Sequence, residues 1–93
     1  MHPPTYLTTV CPATEFNAIR ERLPRAARRA IPRAEPGDRG VIVQAIGSDD
    51  SPLATRYACV REHDDPQPTL ERLQRQIDGQ LSSIVEPCPP ASP

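Results

Sequence analysis

The chain has 93 residues, 37% of them hydrophobic, with eleven arginines, no lysine, twelve acidic residues and a net charge of −1. That size makes one domain, which hides only about two-thirds of its unfolded surface and leaves little room for an enzyme cleft with supporting residues behind it. The balance of apolar and charged residues excludes the low-hydrophobicity, high-charge regime of disordered chains. No apolar run approaches the ~20 residues of a membrane span.

Elements can be placed in chain order. Residues 1–4 read as a flexible N-terminus; the stretch 1–10, "MHPPTYLTTV", lacks the basic start and apolar core of a secretory signal. "TYLTTVC" (5–11) is rich in β-branched residues and bounded by prolines, which predicts a strand. Pro12 suits the first turn of a helix. Beyond it Phe16, Ile19, Leu23, Ala27, Ala30 and Ile31 recur at spacings of three and four, within a sector of about 120° on a helix. Pro24 interrupts the hydrogen bonding but not the phase of this stripe, so the expectation is a kinked helix or two abutting helices.

"PRAEPGDRG" (32–40) reads as a loop. "VIVQAI" (41–46) is a nearly continuous β-branched run, as in a strand buried on both faces or lying in mid-sheet. "GSDDSP" (47–52) turns the chain, and "LATRYACVR" (53–61) completes a hairpin. One face of that strand carries Leu53, Thr55, Tyr57 and Cys59; the other carries Ala54, Arg56, Ala58 and Val60. A polar loop leads to the clearest periodic signal, Leu70, Leu73, Ile77, Leu81 and Ile84, with Thr69 as the expected N-cap. Residues 86–93 read as a Pro-rich disordered tail, unless 82–88 add a short final strand. The predicted fold is α+β: a two-layer α/β sandwich in the order β-α-β-β-α, with a small, mainly antiparallel sheet and two helices on one face, forming a single domain over 5–85.

The stretch "RERLPRAARRAIPR" (20–33) concentrates six arginines with one glutamate. On the helix phase set by the apolar stripe, Arg22, Arg25, Arg28, Arg29 and Arg33 fall on the opposite half and Arg20 at its edge. Core packing on one side is enough to place them. Residues 1–40 hold seven arginines against four acids, while 41–93 hold four against eight, so the chain is dipolar. Arginine pairs bidentately with carboxylate or phosphate, but nucleic-acid domains usually carry net positive charge, and this chain has a pI near 6.1.

Other constellations are sparse. His63, Asp64 and Asp65 with Asp49 and Asp50 lie in polar turns, where Asp serves backbone hydrogen bonding; no metal site is expected. Cys59 and His63 form the one adjacent thiol–imidazole pair, some 13 Å apart if extended, and no glycine-rich phosphate loop is present, so no cofactor is expected. Cys11, Cys59 and Cys88 are an odd, widely spaced set without a C-x-x-C pair, which reads as reduced thiols in a cytoplasm.

"TYLTTV" (5–10) and "RYACV" (56–60) on the first and third strands resemble the paired sheet motifs of RNA-recognition motif domains, without the glycine expected after Arg56 and with Cys59 in place of the second aromatic. That resemblance implies base stacking on Tyr6 and Tyr57.

The expected function is therefore that of a small, cytoplasmic, non-enzymatic accessory protein of bacterial or phage type. It would inhibit or adapt another protein through Arg22, Arg25, Arg28 and Arg29. The alternative is a nucleic-acid-binding module using the same arginines with Tyr6 and Tyr57 on an open sheet. The stripe Leu70, Leu73, Ile77, Leu81 and Ile84 is a candidate homodimer seam, and no membrane contact is expected.

Overall fold

The computed structural model describes residues 5–85, with side chains through Leu81; the predicted flexible N-terminus (1–4) and tail (86–93) lie outside these residues. The elements are β1 (Thr5–Pro12), α1 (Ala13–Glu21), α2 (Arg25–Ala30), β2 (Arg39–Ile46), β3 (Pro52–Val60) and α3 (Gln67–Val85). The three strands form an open antiparallel sheet in the order β1-β2-β3. Among the described residues no helix is long and apolar enough to cross a membrane.

The expected two-layer α+β sandwich is formed by this sheet and α3. Val41, Val43 and Ala45 of β2 are fully buried with Ala58 and Val60 of β3, under Leu73 and Ile77 of α3. Leu70, Leu81 and Tyr6 pack around that cluster. Helical spacing thus brings one stripe of α3 onto every second residue of the strands.

The placement of the first helix departs from expectation. Both helices were expected on one face, but α1 lies against the other. Cys11, Ala13, Phe16, Ile31 and Ala34 form a second cluster, edged by Ile42, Tyr57 and Cys59. The register pairs Cys11 with Gly40 and Gly40 with Cys59, while Val41, one residue on, pairs with Val10 and Ala58. Side chains alternate across a pleated strand, so the two clusters occupy opposite faces. A Cβ on Gly40 would overlap the Cβ, Cγ and Cδ1 of Phe16. The absence of a side chain there is what lets Phe16 approach the backbone of β2 so closely.

Pro24 splits the first helical segment into two. Pro12 caps α1 in an extended conformation (φ −62°, ψ 159°) and Pro24 caps α2 in the same way (φ −59°, ψ 153°). The apolar stripe does not run through the break as one buried face: Phe16 and Ile31 are buried and Leu23 packs at the edge of their cluster, but in α2 Ala27 is only part-buried and Ala30 is exposed. α3 begins at Gln67, two residues before Thr69. The Asp65 carboxylate accepts the Gln67 N–H at 3.0 Å and Pro66 O accepts the Leu70 N–H at 2.9 Å, so the expected Thr69 cap sits inside the first turn. Residues 82–85 continue α3 rather than opening a final strand, and 86–88 lie outside the described residues.

The β2–β3 turn closes through Gly47 N–H to Ser51 O at 2.9 Å, with Asp50 at φ 63°. Asp49 accepts from both the Ser51 N–H and the Ser51 hydroxyl, and these bonds hold its carboxyl below the usual range.

Candidate partner-binding surface

The arginine-rich stretch forms a corner where α1 gives way to α2, and its arginines divide into two groups. Arg20 works inside the corner. Its Nε donates to Ile31 O and its Nη2 to Arg28 O, both at 2.9 Å, which satisfies carbonyls at the C-terminal end of α2. Asn17 closes the next link with two 2.9 Å bonds to the Ala34 backbone, one as donor and one as acceptor. These two side chains tie α1 to α2 and to the loop beyond it.

Glu21 is the shared acid of the corner. Arg33 reaches it at 3.1 Å, Arg28 at 3.5 Å and Arg20 at 3.8 Å. Arg28 also donates to Glu21 O at 3.5 Å and is half-buried, so it braces the corner. Arg22, Arg25 and Arg29 are exposed, and among the described residues their side chains have no hydrogen-bond or ion-pair partner. Of the four arginines named as partner contacts, the structure leaves these three presented to solvent and turns Arg28 inward.

The two tyrosines do not meet on one platform. Tyr6 pairs with Ala45 and points to the α3 side, where its hydroxyl donates to Asp78. Tyr57 pairs with Ile42 on the opposite face and stands edge-to-face against Phe16, ring centroids 6.4 Å apart. β2 separates β1 from β3, so the base-stacking pair implied by the RNA-recognition resemblance is split between two faces and two non-neighbouring strands.

The α3 stripe from Leu70 to Leu81 packs within the chain. Leu73 and Ile77 are 3% and 0% exposed, and Leu70 and Leu81 pack on the same cluster; a homodimer seam built on that stripe would have to unpack the core. The side chain of Ile84 lies outside the described residues.

Cys11 and Cys59 are both pushed above the ordinary thiol value. Burial, and to a lesser degree Glu15, pushes Cys11 above its ordinary value. Burial followed by Asp38 and Cys11 does the same for Cys59, whose Sγ lies 3.9 Å from Pro32 O. A raised thiol is the opposite of an activated nucleophile. Among the described residues no three His, Cys, Asp or Glu side chains gather around a point that would hold a metal ion.

One feature was not legible in the sequence. A groove of about 400 Å³ runs along the outer edge of β3, between Ala27 and Ala30 of α2 and Arg72, Leu73 and Gln76 of α3. No periodicity announces it, because it arises from two helices on opposite faces overhanging one strand.

No family model, no curated protein and no solved structure matches this chain.

Proposed function

We propose that the protein is a non-enzymatic docking module that holds an acidic region of a protein partner against the α1–α2 corner. The observation that carries this reading is the partition of the arginines. Glu21 is shared by Arg20, Arg28 and Arg33, while Arg22, Arg25 and Arg29 stand exposed beside it without an acid of their own. A braced corner favours binding because less side-chain and backbone freedom is lost on contact. The planar guanidinium then offers two parallel donors to each carboxylate.

A protein partner is preferred to nucleic acid on two grounds. The chain is acidic overall, which opposes accumulation on a polyanion beyond the corner itself. The tyrosines needed for base stacking point to opposite faces of the sheet.

The test is fluorescence anisotropy with a labelled polyglutamate peptide, single-stranded RNA, single-stranded DNA and duplex DNA, at about 50 and 200 mM salt. Wild type is compared with the Arg22→Ala/Arg25→Ala/Arg29→Ala variant, which leaves Arg20 and Arg28 in place to hold the fold. Binding of polyglutamate, lost in the variant, is the expected result. Binding of RNA or DNA that is lost in the variant and falls steeply with salt would replace this reading with the nucleic-acid alternative.

A further inference from the structure

The strand order leaves β3 at an edge of the sheet, where among the described residues a row of main-chain N–H and C=O groups lacks a ladder partner. Such an edge accepts an extended peptide as an added strand, with the main chain supplying affinity and the flanking side chains supplying choice. At Thr55–Ala58 this edge lines the groove between α2 and α3, and the α2 wall there is built from Ala27 and Ala30, whose methyl groups leave the space beside the strand clear.

Charge selects the occupant. Arg56 and Arg72 line the groove and, among the described residues, no carboxylate does. Arg56 donates to Gln80 at 3.0 Å, a neutral acceptor that leaves its charge uncompensated. Pairing of β3 with the β3 of a second copy would set Arg56 close to its own counterpart, and like charges across a strand pair repel. The chain's own last eight residues hold four prolines, which lack the N–H that a ladder requires.

We propose that the β3 edge receives an extended acidic segment of a partner protein as a fourth strand, its carboxylates meeting Arg56 and Arg72. This rests on the reading of the partner as acidic and adds to it a conformation and a second contact surface.

The probe is an N-acetylated octapeptide alternating Val and Glu, titrated by anisotropy and by amide NMR with hydrogen exchange. The expected result is slowed exchange of main-chain amides within Thr55–Ala58. Affinity should fall about tenfold or more in Arg56→Glu/Arg72→Glu and on N-methylation of alternate peptide amides, which removes ladder donors while keeping the charges. Failure of the octapeptide to bind, equal binding of the N-methylated form, or perturbation confined to Thr5–Val10 of β1 or to the α1–α2 corner would overturn the inference. The corner reading is judged separately, by polyglutamate binding in the Arg22/Arg25/Arg29 variant. Octapeptide binding retained in that variant supports the β3 edge; polyglutamate binding that survives there sinks the corner alone.

Discussion

Gly40 is the residue on which the second face of the sheet depends. Its neighbours in the register, Cys11 and Cys59, are small; Phe16 occupies the space where a Gly40 side chain would stand and shares its cluster with Cys11, Cys59 packing at the edge. Gly40→Ala is expected to cost about 1–3 kcal/mol, the usual range for overpacking, because the new methyl meets the base of the ring rather than a movable tip. In a Phe16→Gly background, which removes the Cβ, Cγ and Cδ1 together, the same change should cost much less, and urea midpoints of the four proteins in this cycle measure the difference. The thiols give a second prediction at this scale. Cys11 and Cys59 titrate higher in the folded chain than in the unfolded one, so the folded state keeps protons that the unfolded state gives up. Their contribution is fully present below about pH 8.5, the ordinary thiol value, and is lost as pH rises through the raised folded values. Stability followed from pH 7.5 to 10 should therefore fall more steeply in wild type than in Cys11→Ala/Cys59→Ala. Equal slopes would place the alkaline sensitivity elsewhere, with Tyr57, which burial also raises, next in line.

At the scale of elements, the α1–α2 corner is held by polar side chains more than by apolar burial. α2 has six residues, none of them buried, and a helix that short does not stand alone in water. Its C-terminal carbonyls are bound by Arg20, and the loop after it is clipped by Asn17. Asn17→Ala leaves the Ala34 N–H and C=O without these partners in a part-buried place and is expected to cost about 1–3 kcal/mol. Hydrogen exchange should show that loss first in the amides of Arg25–Ala30, ahead of the sheet. An unchanged exchange rate there would mean that Arg20, with the packing of Ile31 and Leu23, holds α2 without Asn17. The corner variant proposed above avoids Asn17, Arg20 and Arg28 for this reason.

For the whole molecule, two clusters on opposite faces share one central strand, so their stabilities are coupled through β2. Ile77→Ala removes a fully buried side chain from the α3 cluster and is expected to cost about 2–5 kcal/mol. Light scattering at increasing concentration should meanwhile give the same mass for this variant, refolded, as for wild type. A mass that drops on substitution would mean that α3 contacts a second copy after all. Cys11 and Cys59 sit on strands separated by β2, so their Cα atoms lie roughly 10 Å apart at two strand spacings, beyond the ~7 Å reach of a disulfide. Reductant should not change the unfolding midpoint through this pair.

Much of the architecture was legible because local patterns have local causes. The spacing of Leu70, Leu73 and Ile77 marked α3 and its buried side, β-branched runs marked β1 and β2, and "GSDDSP" marked the turn between β2 and β3. Helical phase puts Arg22, Arg25, Arg29 and Arg33 on the wet side, where they are exposed, whereas Arg20 and Arg28 are part-buried in the corner. What phase could not supply was the partner of each side chain. That Arg28 turns in to Glu21 while Arg22, Arg25 and Arg29 stay exposed depends on how α2 folds back past Pro24, and so on a contact across the break. The placement of α1 was lost for a related reason: an apolar stripe on a helix says that it is covered, not by which side of a sheet. "VIVQAI" carried the missing hint, since a strand apolar at successive positions buries both faces. The sequence by itself determined the elements, the buried stripes and the charge asymmetry, each set by residues a few positions apart. Only the tertiary structure decided which face each helix covers, which arginines remain unpaired and that β3 has an accessible edge, because those depend on residues far apart in the chain meeting in space.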